Sequence, residues 1–347
     1  MRQARWERTM VETILRRALD DIQQDPKRAI RKLVDLGMET SGGDLQKSFM
    51  GTAQQMLLNE HSPYYDLILN TIKWVERDRI LTFGINLGWN SLTEGAARIR
   101  ELEAQRGHNI PWSMTFHMAD GPDSLTGGDY IRLALEGMEL GICSYFLMPE
   151  DAASVQNALN LAAACRDCAF FLWVPEGYDW EGGWHSLTLH RNLILGAHCG
   201  EAGWEKRAQR LRAEKCLYFL YRRYSTQEDT AQILSGAWME QALPYAGVAV
   251  AFLGAEEQGG GLSRHPVYQY ALDARMGQRF PTLVTDFYPD SLYLDVRISR
   301  DPCFAGLLPD GTLTDYRQGR ETPTGRSARR APLEDLLKHF AKADAAG

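Results

Sequence analysis

A regular alternation of short apolar β runs and amphipathic helices, from Ile80 to about residue 288, constrains the fold more than any other feature. The β-rich runs predict eight strands, at 80–86, 112–118, 143–148, 168–174, 192–197, 216–221, 248–253 and 282–288. Helical patterns lie between them, at 93–106, 129–139, 151–164, 201–213, 226–240 and 264–276. Because such alternation is typical of parallel strands joined by crossover helices, the sequence predicts an α/β fold, a complete or partial TIM-like (β/α) barrel.

Two further segments flank the predicted barrel domain, which we place at residues 78–290. Residues 1–77 carry apolar positions at helical spacing and predict a helical N-terminal extension. Residues 291–347 begin with the alternating run 292–298, which predicts a strand, and continue through Pro309-Asp310-Gly311, a turn signal that predicts a β-hairpin. The polar, Arg-rich residues 317–331 predict a mobile segment, and a short helix is expected at 332–343.

Charge and hydropathy exclude several classes of protein. The 347 residues include 38 basic and 45 acidic side chains, and this net charge of −7 argues against a nucleic-acid partner. No apolar run reaches eighteen residues, so we expect no membrane span. The charged, helical N-terminus lacks the features of a signal peptide, which predicts a cytoplasmic protein whose six cysteines are mostly reduced.

The first candidate ligand site lies directly after the first predicted strand. Gly84, Asn86, Gly88 and Asn90 break the apolar run before a helix begins at Ser91 or Thr93. A Gly/Asn turn between a strand and a helix exposes backbone amides to a ligand. We therefore predict ligand contacts from Asn86, Gly88 and Asn90.

Further candidates follow the other strands, because ligand-binding side chains of such barrels lie at the strand C-terminal ends. Those that we assign to ligand binding are His117, Asp120, Tyr178, Trp180, Arg222 and Asp286. The loop 175–185 combines acids and aromatics between glycines. It has two interpretations, a platform for a hydroxylated ligand such as a sugar, or a surface loop whose tryptophans pack against the barrel.

Paired carboxylates offer an alternative function, a barrel hydrolase of the glycoside hydrolase type. Glu176 follows the predicted fourth strand, and Glu256 or Glu257 follows the seventh, the strand ends that many retaining barrel glycosidases use for acid and nucleophile. The Asn that precedes the strand-four Glu in that family is replaced by Val174-Pro175. Under this alternative, Glu176 and Glu256 are the catalytic residues.

The cysteines and histidines do not form a recognisable metal motif. Cys165 and Cys168 form a lone C-x-x-C without a second pair at suitable spacing, which favours structural cysteines. His185, His190 and His198 are spaced five and eight residues apart, which matches no compact ligand set. We therefore predict no metal ligands.

Two segments together resemble the radical SAM family. Residues Leu125-Thr126-Gly127-Gly128-Asp129-Tyr130, followed by a helix, Gly141-Ile142 and the strand CSYFLMPE, are similar to the family's Gly-Gly-Glu region. Cys303-Phe304-Ala305-Gly306 with Pro309 to Thr312 is similar to a shortened C-terminal cluster segment. The resemblance implies a barrel with a C-terminal hairpin, and it implies that Gly127, Gly128 and Asp129 meet S-adenosylmethionine.

The chain departs from this family in its cysteines. Radical SAM enzymes hold a [4Fe–4S] cluster through a C-x-x-x-C-x-x-C loop after the first strand. The corresponding segment here, INLGWNSLTEGA, contains no cysteine, and Asp129 replaces the usual Glu. The resemblance therefore implies a degenerate member without the catalytic cluster.

These observations lead to one preferred function. We predict a protein that binds a small polar ligand or a peptide, in an accessory role, on a radical SAM-like barrel, with no resident cofactor or with S-adenosylmethionine. A second copy of the chain or another protein is the expected partner of the helices at 1–77.

Overall fold

The computed structural model describes residues 2–40, 44–254 and 265–342, and it begins with four helices that pack on one another. These are α1 (Arg2–Gln24), α2 (Pro26–Thr40), α3 (Asp44–Leu57) and α4 (Pro63–Trp74). Ile22, Ile30, Leu57 and Tyr65 meet in a small core of their own. The helical N-terminal extension is thus confirmed.

The segment that follows is also helical, so the strand predicted at 80–86 is wrong. It comprises α5 (Arg77–Gly84), a π-helical segment (Ile85–Gly95) and α6 (Ala96–Arg106). α5 is enclosed on more than one side. Phe83 packs edge-on against Phe171, with ring centroids 5.4 Å apart, and Arg79 donates to the carbonyl of His190 at 2.9 Å. Because burial is not confined to one stripe, the short apolar run has the pattern of a buried strand.

The other seven predicted strands are present and parallel. They are β1 (Ser113–Met118), β2 (Ser144–Pro149), β3 (Ala169–Trp173), β4 (Leu193–His198), β5 (Tyr218–Tyr224), β6 (Ala249–Gly254) and β7 (Leu283–Asp286). Each pairs with the next along the chain. The connecting helices are α7 (Gly127–Leu140), α8 (Ala152–Ala164), α9 (Trp180–Thr188), α10 (Trp204–Ala213), α11 (Gln227–Leu234), α12 (Ala237–Ala242) and α13 (His265–Met276).

The run 292–298 is the second wrong strand, because it lies inside α14 (Phe287–Ser299). Ser291 and Asp295 are buried in this helix, whereas Tyr293 and Val296 are largely exposed. Polar residues thus share the inner face with apolar ones such as Phe287 and Ile298, and apolar residues also occupy part of the outer face. The apolar pattern therefore indicates a half-buried strand where the helix forms.

The C-terminal region completes the sheet. β8 (Ala305–Leu307) pairs parallel with β1, and β9 (Thr312–Arg317) turns back antiparallel to it, so the predicted hairpin at 309–311 is confirmed. The residues predicted to be mobile form β10 (Arg320–Ser327), antiparallel to β9, so that prediction is wrong. The chain then forms α15 (Leu333–Leu337) and a 3-10 turn (Lys338–Phe340).

The ten strands form a single curled sheet in the order β10-β9-β8-β1-β2-β3-β4-β5-β6-β7. Eight of them, β1 to β8, are parallel, and β7 and β10 are the two edges of the sheet. The result is a partial, TIM-like barrel, as predicted. Aromatic rings fill its interior, where Phe146 stacks on Phe171 at 4.7 Å and meets Phe287 at 4.8 Å.

No helix among the described residues is both long and apolar enough to cross a membrane. The helical part of the chain continues to Arg106, beyond the boundary that we predict at residue 77. The division into 1–77, 78–290 and 291–347 stays a prediction.

Candidate functional site

The parallel strands place all their C-terminal ends at one end of the barrel, here called the rim. A cleft of about 560 Å³ opens there beside the ends of β3, β4 and β5. We call this cleft the rim cleft. Its charged and polar lining residues are Glu176, His198, Glu201, Glu205, Arg222, Arg223 and Asp229, with Cys199 and Trp204 beside them. Of the residues predicted from sequence, the rim cleft contains Glu176 and Arg222.

Three side chains converge within the rim cleft. Glu176 follows β3, His198 ends β4, and Glu201 lies in the connection to α10. One ligand atom from each lies within 4.8 Å of the others. Within the described part of the chain, which includes all six cysteines, this is the only such group of three His, Cys, Asp or Glu residues. The prediction that the chain has no metal ligands stays a prediction.

Neighbouring groups hold the acid and base members of the rim cleft in place. Glu201 accepts a 2.9 Å hydrogen bond from the backbone amide of Gly177, and its second oxygen lies 2.7 Å from the guanidinium of Arg207. Arg222 lies 2.8 Å from the side-chain oxygen of Gln232 and 3.4 Å from Asp229. Two of the carboxylates that line the rim cleft, Glu201 and Asp229, are therefore each paired with a guanidinium group.

His198 is held mainly in its neutral form. Burial lowers the pKa of this imidazole, and the attraction of Glu176 and Glu201 opposes that effect without reversing it. Its Nδ1 atom is buried and has no hydrogen-bond partner among the described residues. A neutral imidazole with a free ring nitrogen can accept a proton or bind a cation.

A second polar group occupies the mouth of the barrel, at the ends of β1 and β7. His117 Nε2 lies 3.0 Å from Glu321 Oε1, and Thr314 and Tyr288 donate to the same carboxylate at 2.7 and 3.0 Å. We call these four residues the mouth network. Burial raises the pKa of Glu321, but the charge of His117 and the three hydrogen bonds outweigh it, so the pKa lies below its usual value.

Asp286 lies at the end of β7, as predicted for a rim residue. It is fully buried, and it accepts a 3.0 Å hydrogen bond from the hydroxyl of Tyr224. The sequence points to His117 and Asp286 separately. It does not point to Glu321, because β10 falls in a segment whose composition predicts a mobile tail.

The Gly-Gly-Asp segment forms the start of α7 after β1, not after a second strand as predicted. Thr126 caps this helix, and its backbone amide and hydroxyl both donate to Asp129, at 3.0 and 2.6 Å. These bonds hold the pKa of Asp129 below its usual value. Gly127 lies so close to Asn157 that a Cβ would meet its side-chain oxygen at 2.9 Å. Asp129 and Gly127 therefore both have a structural explanation.

The loop 175–185 after β3 has the contacts expected of a surface loop whose tryptophans pack against the barrel. Asp179 caps α9 through the backbone amides of Glu181 and Gly182. Trp180 is buried against Trp184, with the ring centroids 6.1 Å apart. Tyr178 is partly buried, with its ring 6.3 Å from that of Trp180. The structure thus gives Trp180 a role in anchoring the loop.

Asn86 and Asn90 lie at the opposite end of the barrel, so the prediction that they follow a strand end is wrong. Asn86 donates 2.8 Å hydrogen bonds to the carbonyls of Arg166 and Cys168, directly before β3. Asn90 donates to Asp167 at 2.8 Å. Gly88 lies in the same π-helical segment. These residues therefore close the barrel at its N-terminal end.

The remaining candidates are Asp120 and Glu256. Asp120 lies in the connection after β1, where its backbone amide donates to Asp151 at 2.9 Å. Glu256 and Glu257 lie outside the described residues. Because the first predicted strand is absent, Glu176 follows the third strand and residue 256 comes after the sixth. The placement at the fourth and seventh strand ends is therefore wrong, and the catalytic pair stays a prediction.

The six cysteines do not fit a [4Fe–4S] cluster of the radical SAM type. All six are buried, and no three of them bring their sulfur atoms together within 4.8 Å. Burial raises the pKa of Cys199 to about 12 and that of Cys216 to about 11. Iron is bound by thiolates, which such burial disfavours. Neither the segment 84–95 nor the connection 119–126 after β1 contains a cysteine.

Glu176, His198 and Glu201 escaped prediction as a group because they come from two different strand ends. The available signal was the spacing of His198 and Glu201, three residues apart directly after a predicted strand. Glu176 joins them only because β3 and β4 are neighbours in the sheet.

The partial barrel, with its helical N-terminal region and C-terminal hairpin, is similar in fold to solved structures of a radical SAM enzyme. Three solved structures of SuiB from Streptococcus suis, a radical SAM enzyme, are similar to it. The structure bound to S-adenosylmethionine matches with a TM-score of 0.50 and 10% identity, over 73% of this chain and 69% of that chain.

The other two SuiB structures give the same result. A further SuiB structure matches with a TM-score of 0.50 over 71% of its chain, and the structure bound to the precursor peptide SuiA matches with 0.51 over 70%, both at 10% identity. No protein-family model matches the sequence, and no curated protein matches it. The predicted resemblance to the radical SAM family is thus confirmed for the fold.

Proposed function

We propose that this protein binds a small polar molecule or a peptide in the rim cleft, in an accessory role that does not use a radical SAM iron–sulfur cluster. The observation that carries the proposal is the cleft itself, about 560 Å³ in volume, at the strand ends where such barrels bind ligands. A cleft of this size suits a molecule of several non-hydrogen atoms or the end of a peptide.

The lining of the rim cleft supports a ligand that carries both charges. Glu176 and Glu201 present carboxylates, and Arg222 and Arg223 present guanidinium groups. Carboxylates recognise ammonium groups, and guanidinium groups recognise carboxylates and phosphates in a paired geometry. A free amino acid, or a peptide terminus next to a charged side chain, has this combination.

The buried, non-converging cysteines support a binding role without radical initiation. S-adenosylmethionine nevertheless remains a candidate ligand, because SuiB, with the same fold, has been solved bound to it. SuiB has also been solved with a peptide. Both ligand classes therefore belong in the first experiment.

The experiment is a thermal-shift and calorimetric screen with S-adenosylmethionine, free amino acids and short peptides of mixed charge. We expect at least one zwitterionic compound to bind, and Arg222→Gln to weaken its affinity at least tenfold. Arg166→Gln is the matched control, since Arg166 is exposed before β3, at the far end of the barrel. Binding that survives Arg222→Gln unchanged, or a screen without any binder, would contradict the proposal.

Anaerobic reconstitution with iron and sulfide tests the cluster-free part separately. We expect protein-bound iron and sulfide to remain far below four of each per chain after desalting. Stoichiometric incorporation of both, with cleavage of S-adenosylmethionine, would replace the accessory role with a catalytic one.

A further inference from the structure

We propose that the rim cleft holds a divalent transition-metal ion through Glu176, His198 and Glu201. The inference deepens the proposed function, because a metal ion in this cleft would be part of how the protein holds its ligand. The carrying observation is geometric: one nitrogen and two oxygen donors from three side chains lie within 4.8 Å of one another inside a cleft.

The spacing of these donors is close to what a metal ion requires. Metal–ligand bonds to imidazole nitrogen and carboxylate oxygen are about 2.0–2.2 Å long, which places donors roughly 3–4.4 Å apart around the ion. Small rotations of the side chains reach that range. Glu176 is exposed and Glu201 and His198 are half-buried, so at least Glu176 is free to make such a rotation.

Glu201 is positioned in advance by groups outside the donor set. The backbone amide of Gly177 donates to Oε1, and Arg207 lies against Oε2. A carboxylate has about four acceptor sites, so these contacts leave room for a metal bond. Supporting contacts of this kind orient the ligands of metal sites in general.

His198 has the properties of a metal ligand. Its buried Nδ1 has no hydrogen-bond partner within the ranges that the structure describes, so a lone pair of the ring is not used by the protein. Gly200 lies against the ring so closely that a Cβ there would meet Cε1 at 2.6 Å. The backbone of the β4–α10 connection thus packs against the imidazole and restrains it.

The arginines near the three donors do not prevent a metal ion from binding there. Of the arginines beside the cleft, Arg222 is paired with Asp229 outside the donor set, whereas Arg207 lies against Glu201 and shares that carboxylate with the proposed ion. Arg223 is exposed to solvent. The donor set of one imidazole and two carboxylates suits zinc, manganese or iron in the divalent state.

The test is calorimetric titration of chelator-treated, full-length protein with Zn²⁺ alone and with Mn²⁺ alone. We expect one ion per chain for at least one metal, and an at least tenfold loss of affinity in both His198→Gln and Glu176→Gln. His185→Gln and Glu181→Gln, two exposed residues on α9, are the matched controls and should bind as the parent does. Circular dichroism confirms that each variant is folded.

Two results of these titrations would contradict the metal site. Absence of binding for both metals, or binding that both His198→Gln and Glu176→Gln retain, would overturn the metal site. If the ligand screen of the metal-free protein still finds a binder that depends on Arg222, the proposed function stands and only the metal inference fails.

Discussion

His117 and Glu321 meet across 204 residues of sequence, with Nε2 of the imidazole 3.0 Å from Oε1 and 3.1 Å from Oε2 of the carboxylate. His117 is the penultimate residue of β1, the first strand of the barrel, and Glu321 lies in β10, the last strand along the chain. Only 3% of the Glu321 side chain is exposed, against 21% of that of His117. The contact ties the antiparallel β9–β10 hairpin to the mouth of the parallel barrel.

Replacing this carboxylate should destabilise the fold. We expect Glu321→Gln to lower the free energy of unfolding by about 1.5–3 kcal/mol, the typical contribution of hydrogen bonds to a charged group. Tyr288 and Thr314 donate to different oxygens of the carboxylate, so the amide, with one oxygen, loses one of these acceptors as well as the negative charge that faces His117. Urea denaturation measures the difference, with exposed Glu139→Gln as the control. Equal losses in the two variants would show that the pairing contributes nothing.

The lowered pKa of Glu321 implies that the stability of the fold depends on pH. Its pKa is lowered from 4.5 in the folded state, so the unfolded state binds more protons in acid. The contribution of Glu321 is therefore complete above pH 4.5 and is lost as the pH falls through the folded-state value. In urea titrations between pH 3 and pH 6, the difference between parent and Glu321→Gln should shrink toward the acid end. A difference that grows in acid would reverse the sign of our assignment.

Asp295 predicts the opposite dependence. Complete burial raises its pKa from 3.8 to about 8, although the backbone amides of Trp112 and Cys303 donate to it. The folded state therefore holds a proton that the unfolded state has lost, and stability falls as the pH rises from about 4 to 8. Asp295→Asn removes this term, so its stability relative to the parent should rise between pH 5 and pH 8. A constant difference across that range would contradict the buried, protonated acid.

Asn86 should be a structural residue and not a ligand contact. We expect Asn86→Ala to cost about 1–3 kcal/mol, because the carbonyls of Arg166 and Cys168, the second of them buried, lose their donor. The affinity of the rim cleft for Zn²⁺ or for any ligand found in the screen should not change. Urea denaturation and calorimetry measure the two quantities separately. A lost affinity with unchanged stability would restore the original prediction of a ligand site at this segment.

Gly95 should tolerate no side chain. A Cβ at this position collides with the carbonyl oxygens of Gly141 and Asn90, both fixed backbone atoms. We expect Gly95→Ala to cost about 1–3 kcal/mol or more, as overpacking does. Gly84→Ala is the control, since Gly84 is helical with open space around it and should be neutral or stabilised by up to about 1 kcal/mol. Thermal unfolding of the pair measures the contrast.

The strands of the barrel are predictable from sequence because their local and tertiary environments agree. The runs that form β2, β3 and β5 are buried over nearly their whole length, so a continuous apolar segment marks each of them. The hairpin at Pro309-Asp310-Gly311 is predictable because its turn needs residues of this type, and Gly311 has a positive φ of 85°.

In the elements that were predicted wrongly, the pattern of apolar and polar residues does not match the secondary structure, because their buried faces are set by distant parts of the chain. α5 is enclosed on more than one side, and α14 has Asp295 on its buried face and Tyr293 on its exposed face. β10 is polar because its Glu321 belongs to the mouth network and much of the rest of the strand is exposed. In each case the partner that decides the structure is distant in sequence.

The sequence by itself therefore determined the α/β class, seven of the eight parallel strands, the helical N-terminal region and the C-terminal turn, because each rests on short-range periodicity or turn chemistry. Only the tertiary structure decided that residues 80–95 are helical and close the far end of the barrel. It alone brought Glu321 to His117, and Glu176 to His198 and Glu201. Side chains meet in such sites through the order and register of strands, and no local pattern encodes which strand ends become neighbours.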